Sequence, residues 1–149
     1  MLSIHSDQYF MEQAFKEAQK ARVSGEIPVG AIVVNEKNQI IARAHNQTEL
    51  LQDVTAHAEI LAITSASQFL NNKYLHGCTL FVTLEPCKMC AGALYWSQIN
   101  RIVYAAPDEK HGFMSVGKEL LHPKTKVEFG IMMQECSQLL TNFFKERRG

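Results

Sequence analysis

The chain has 149 residues, 46% hydrophobic and 20% charged, with 15 Lys and Arg against 15 Asp and Glu. That is the size of one domain with a real core, and the composition excludes intrinsic disorder, collagen-like repeats and a strongly basic nonspecific nucleic-acid binder. No run approaches the ~18–20 apolar residues that span a bilayer, and residues 1–10 show no export signal, so one cytoplasmic domain over 1–149 with no membrane partner is expected.

Phe10, Ala14, Ala18 and Ala21 recur at helical spacing, so Asp7 to Val23 reads as a helix, with Ser6 or Asp7 to cap it and Gly25 to stop it. Val29 to Val34 is an apolar, β-branched strand, Asn35 to Gln39 a turn, and Ile40 to Ala44 the strand that completes a hairpin. Ala56 to Ala66 reads as a helix, broken by Asn71-Asn72. Cys78 to Leu84 is apolar enough for a central strand. Pro86 opens a helix to about Ser97, because proline suits a first helical turn. Arg101 to Ala105 is a fourth strand, Pro107 to Gly117 a loop, and Val127 to Phe129 a short fifth strand. Cys136, Leu139, Leu140 and Phe143 then share one face of an amphipathic helix. Strands separated by helices imply an α/β domain, a sheet with helices packed on its faces.

Four cysteines are present, Cys78, Cys87, Cys90 and Cys136, without the short, exported character of a disulfide scaffold. Cys87 and Cys90 stand at i and i+3, on one side of a helix start, where free N–H groups and the helix dipole favour thiolate. Thiolate binds zinc. Taken alone, the pair also suits a redox site or half of a structural zinc site. His57 heads another predicted helix, and two such helix starts facing each other at a sheet edge bring His57, Cys87 and Cys90 onto one ion. Three protein ligands leave a tetrahedral ion an open position for water, the pattern of catalytic zinc. Glu59, about 200° around an ideal helix from His57, suits a general acid/base beside that position rather than a ligand. A first-turn glutamate that offsets the helix dipole is its plainer role.

The combination His57-Ala58-Glu59 with Pro86-Cys87-x-x-Cys90 resembles the signature of the zinc-dependent cytidine and nucleobase deaminases. Nearly end to end, the chain is similar to the bacterial tRNA-specific adenosine deaminases within that superfamily. The matching residues include Pro28-Val29-Gly30-Ala31, Asn46, Thr55 to Ile60, Glu85-Pro86-Cys87 and Met89 to Ala93. Asp108, Lys110, Gly112, His122-Pro123 and Asn142 to Arg148 complete them. Three departures touch substrate choice. Val54 stands where that family usually has proline, Tyr95-Trp96 is similar instead to bacterial guanine deaminases, and residues 112–117 lack a small-residue Gly-Ala stretch.

The resemblance implies a five-stranded mixed sheet with helices on both faces, one zinc ion per subunit and a homodimer. It implies hydrolytic deamination of adenosine to inosine at the wobble position of a tRNA anticodon stem-loop, with Glu59 moving the protons. Asn46 and Ala58 belong to the expected base pocket, an amide offering donor and acceptor to a purine edge; Asn46 is otherwise a turn residue. Asp108, Lys110, Phe143, Phe144, Lys145, Arg147 and Arg148 are the expected RNA contacts, although a terminal charge run is commonly just solvated. Ala91 to Trp96 is either an interface or core. Two alternatives stay open: a deaminase of a free base or nucleoside (guanine, or cytosine/cytidine), and a non-catalytic zinc module using Cys78 or Cys136 as fourth ligand.

Overall fold

The structure, a computed structural model, describes residues 5–148, the last of them by its backbone alone. Helix α1 spans Asp7–Val23, and the Ser6 hydroxyl accepts the Tyr9 N–H at 3.0 Å to cap it. Its face of Phe10, Met11, Ala14, Ala18 and Ala21 is buried. The chain leaves it through Gly25 at φ 78°, a left-handed turn that glycine adopts without strain. Strands β1 (Gly30–Val34) and β2 (Ile40–His45) form the expected hairpin, its turn tied by Asn35 Oδ1, which accepts N–H groups from Lys37 and Gln39 at 3.0 Å. A short helix α2 (Thr48–Leu51), which the hydrophobic pattern does not predict, precedes α3 (Ala58–Leu70).

Strand β3 (Thr79–Leu84) leads into α4 (Lys88–Ser97), and β4 (Arg101–Ala106) follows. Pro86 does not occupy the first helical turn: Cys87 is the N-cap, so proline lies one residue outside the helix. Two single 3₁₀ turns, at Phe113–Ser115 and Lys118–Leu120, lie along the connection to β5 (Lys126–Phe129). Helix α5 (Met133–Arg148) closes the chain.

The five strands make one mixed sheet in the order β2-β1-β3-β4-β5. β1 is antiparallel to both neighbours, whereas β3, β4 and β5 run parallel. Residues of β1 and β3 are buried on both faces, which is why these strands read as unbroken apolar runs. Ala31, Val33, Leu80, Val82 and Ile102 pack with α3 and α4 residues such as Ala62, Ala66 and Leu94. Ile32, Phe81 and Val103 pack on the other face with Phe10 and Met11 of α1 and Cys136 of α5. Arg101, at the start of β4, donates to Asp7 and Glu128 and lies over the Phe81 ring, fastening the start of α1 to the parallel strands.

Gly30 lies directly beneath α1: a Cβ there would fall 2.1 Å from the Ala14 carbonyl oxygen and 2.4 Å from the Ala18 nitrogen. Both obstacles are helix backbone and cannot yield alone. Gly30→Ala is therefore expected to lower stability by about 3 kcal/mol, read as a fall in the urea unfolding midpoint at unchanged slope.

Candidate metal centre and substrate groove

His57 is the N-cap of α3 and Cys87 the N-cap of α4, and neither side chain caps its own helix. Their carbonyls start the helices instead, accepting from Leu61 N–H at 3.0 Å and Ala91 N–H at 2.8 Å. Imidazole and thiol are thereby left for another task. Cys90 stands one turn into α4, and its Cβ tilts back toward the helix start. His57 Nδ1 lies 3.7 Å from Cys87 Sγ and 3.5 Å from Cys90 Sγ.

These spacings test the fit of a metal. A tetrahedral zinc with Zn–N of about 2.0–2.1 Å and Zn–S of about 2.3 Å sets its nitrogen and sulfur ligands about 3.6 Å apart. The three side chains form the only such group of His, Cys, Asp or Glu among the described residues. The thiol proton of Cys90 and the neighbouring His57 draw Cys87 down to about 4, so it stands as thiolate; the adjoining Cys87 pushes Cys90 upward. The hydrogen bond to Cys87 also raises His57. The donor set suits zinc. Cys78 and Cys136 lie in the two apolar cores, outside that group.

Glu59 is the second residue of α3, only 4% exposed, and lies beside Cys90. Burial lifts its carboxyl to about 7. A group poised there takes and returns a proton near neutral pH.

The site opens into a cavity of about 1230 Å³ at the carboxyl end of β3 and β4. His57, Glu59 and Cys87 lie on its lining, with Val29, Asn46 and Leu84. One wall is the α2 segment, with Thr48, Glu49, Gln52, Asp53 and Val54; the other is Pro107 to His111. Leu140 and Phe144 of α5 border it as well. A second hollow of about 290 Å³ adjoins it, sharing Ile27, Thr48, Glu49 and Phe144 and adding Gly25, Phe143 and Arg147.

The sequence-predicted residues divide accordingly. Asn46, Asp108, Lys110 and Phe144 line the large cavity, whereas Ala58 is buried in the core and is not on that lining. Asp108 also braces its own loop, Oδ1 accepting N–H groups from Lys110 at 3.2 Å and His111 at 3.1 Å. Phe143 is buried to 6% and carries the Arg147 guanidinium 4.9 Å from its ring centre, while Arg147 also donates to the Gly25 carbonyl. Lys145 is exposed, and the side chain of Arg148 lies outside the described residues. Tyr95 and Trp96 stand away from the cavity: Tyr95 packs beside His122, and Trp96 is 75% exposed. Glu26 and Glu85 carry no role in the sequence reading, yet both are buried, Glu85 on the cavity lining and Glu26 beside it. An acidic residue set among apolar neighbours, as in Leu84-Glu85-Pro86, was the available signal.

Residues 4–106 match the family model described as the cytidine and deoxycytidylate deaminase zinc-binding region. The tRNA-specific adenosine deaminase of Aquifex aeolicus is 47% identical over 146 residues, covering 95% of each chain. Its Bacillus subtilis counterpart is 43% identical over 95% of this chain and 91% of its own. A structure solved for a study of A-to-I editing by tRNA:A34 deaminases at the wobble position superposes with a TM-score of 0.83 at 39% identity, covering 89% of this chain and 99% of that one. A guanine deaminase from Nitrosomonas europaea reaches the same TM-score at 25% identity, over 93% and 84% of the two chains.

Elemental analysis of purified protein is expected to find one zinc per chain, falling close to zero in His57→Ala, Cys87→Ala or Cys90→Ala. Cys78→Ala and Cys136→Ala should keep it, because neither thiol belongs to the cluster.

Proposed function

The chain belongs to the cytidine and deoxycytidylate deaminase family, and on that premise we propose how it acts: as a zinc-dependent hydrolase that converts adenosine to inosine at the wobble position of a tRNA anticodon loop. Apart from kinship, the observation that carries this substrate is the size of the groove. A cavity of about 1230 Å³ that adjoins a further hollow under α5 exceeds the ~300–1,000 Å³ of small-molecule clefts. It has room for a splayed-out base together with the strand on either side of it, the form in which RNA loops are read.

Zinc held by His57, Cys87 and Cys90 supplies a Lewis acid that makes water a nucleophile near neutral pH. The Glu59 carboxylate takes a proton from the attacking water and gives one to adenine N1, which turns C6 electrophilic. After water oxygen has bonded to C6, Glu59 takes the proton left on that oxygen and hands it to the departing amine, so that the C6–N bond breaks as the C6 carbonyl forms. Adenosine and water become inosine and ammonia, and Glu59 ends as it began. Asn46, buried on the cavity lining, presents an amide that pairs with a purine edge.

Phosphate contacts fall to Lys110, Lys145, Arg147 and Arg148, with Asp108 free at its second oxygen for a 2′-hydroxyl. Phe144, on the rim at 42% exposure, offers a stacking face, whereas Phe143 anchors α5. Met89, Gly92 and Trp96 follow one face of α4 outward, with no heavy atom within 4 Å of a Cβ on Gly92. That apolar stripe is the surface assigned to a homodimer, in which a partner extends the tRNA footprint. The whole chain acts as one deaminase domain, in the cytoplasm where tRNA is modified.

The decisive assay is ammonia release from an anticodon stem-loop with wobble adenosine, from guanine and from cytidine. Release from the stem-loop with inosine at the wobble position is expected; release from guanine alone would overturn the substrate assignment and leave the zinc chemistry intact. Glu59→Ala is expected to lose at least ~10²–10⁴-fold in rate at unchanged zinc content. Asn46→Ala should act mainly through a raised KM.

A further inference from the structure

Two buried carboxylates stand at the loop walls of the groove, Glu85 on the cavity lining itself and Glu26 off it. Glu85 follows β3 directly and is 5% exposed. Its Oε1 accepts the Asp108 N–H at 3.0 Å and its Oε2 the Met114 N–H at 2.9 Å. One side chain thus grips both ends of the loop that carries Asp108, Lys110 and His111 along the groove. The fit is close: a Cβ on Gly112 would lie 2.1 Å from Glu85 Oε2. The same loop is fastened to the segment bearing Cys87, through Phe113 N–H to the Pro86 carbonyl at 2.9 Å and a bridge between Gly112 and Cys87.

Glu26 repeats the device on the opposite wall. It is 1% exposed, just beyond α1, and its Oε1 accepts the Glu49 N–H at 3.1 Å and the Thr48 hydroxyl at 3.4 Å. Its Oε2 accepts the Leu50 N–H at 2.8 Å. Among the described residues neither carboxylate forms a salt bridge with Lys, Arg or His. Burying a charge in that way is costly unless its oxygens are well hydrogen-bonded, and an apolar residue would serve packing without the cost. What a carboxylate adds is two strong acceptors at a fixed separation, matched to two backbone donors.

We propose that Glu26 and Glu85 are positioning residues that set the spacing of the two groove walls, and thereby the fit of the RNA strand between them. The strand's identity rests on the function proposed above; the clamping does not. Glutamine keeps the shape of each side chain but offers one acceptor and turns an NH₂ group toward the second N–H.

The test compares zinc-loaded wild type with Glu85→Gln and Glu26→Gln by metal analysis, by hydrogen exchange of assigned backbone amides, and by KM and kcat on the stem-loop. Zinc content should not change. Exchange should quicken by about tenfold or more at Asp108 or Met114 in Glu85→Gln, and at Glu49 or Leu50 in Glu26→Gln. KM should rise by about tenfold with kcat within about threefold. Unchanged exchange at these amides, or lost zinc and kcat at an unchanged KM, overturns the proposal. A wild type that leaves the stem-loop unedited would sink the substrate assignment, while the exchange rates would still decide the clamp. Should Glu85→Gln fail to fold, Glu85→Asp, which keeps both acceptor oxygens but draws them back by a methylene, must show the quickened exchange and raised KM; wild-type values there refute the clamp.

Discussion

Two helices begin at the same end of the sheet, and the site depends on that constraint. α3 starts at His57 and α4 at Cys87, so one ligand is an N-cap on each helix and the third sits one turn further along α4. Helix starts expose unpaired N–H groups and a positive dipole end, which favour thiolate sulfur. Because β3 and β4 are parallel, the connection through α4 must cross over the sheet and return, which places the α4 start just beyond β3. The antiparallel β1 brings Val29 and Asn46 to the same end. His57, Cys87, Cys90, Glu59 and Asn46 converge there without any long loop to hold them.

The walls of the groove are of the opposite kind, short of regular structure and rich in backbone donors. Buried acids satisfy those donors: Glu26 beneath α2 and Glu85 beneath 108–114. No buried side-chain nitrogen or oxygen among the described residues is left without a partner. A polar interior of this sort stiffens what it touches, since loosening one bond strands a desolvated group. The His57, Cys87 and Cys90 cluster thus sits on helix starts, and the groove walls on braced loops.

This division suits a family in which one fold serves different bases. A tRNA adenosine deaminase structure and a guanine deaminase structure superpose equally well on this chain, at TM-scores of 0.83. Backbone shape therefore does not decide the substrate. Tyr95 and Trp96, the residues most similar to guanine deaminases, lie outside the cavity and bear on the surface of α4 instead.

Periodicity and punctuation made most of the architecture legible, because they act over a few residues. Ser6, the alanine-rich face of α1 and the apolar runs of β1 and β3 determine their elements locally. Asn71 breaks α3 in a left-handed conformation for the same local reason. The grouping of His57, Cys87 and Cys90 was legible because zinc chemistry allows few residue types at that spacing. Other features had at most a faint local signal. Helix α2 is four residues long with no buried side chain, too short to show an amphipathic pattern, and Glu26 and Glu85 read as ordinary acids until the fold sets loops against them. Phe143 and Phe144 are identical in sequence, yet one is buried and the other lies on the rim, since the angle of α5 on the sheet decides which face meets solvent. By itself the sequence determined the elements and the chemistry of the site; the tertiary structure decided which residues meet across the groove, because those meetings join segments far apart along the chain.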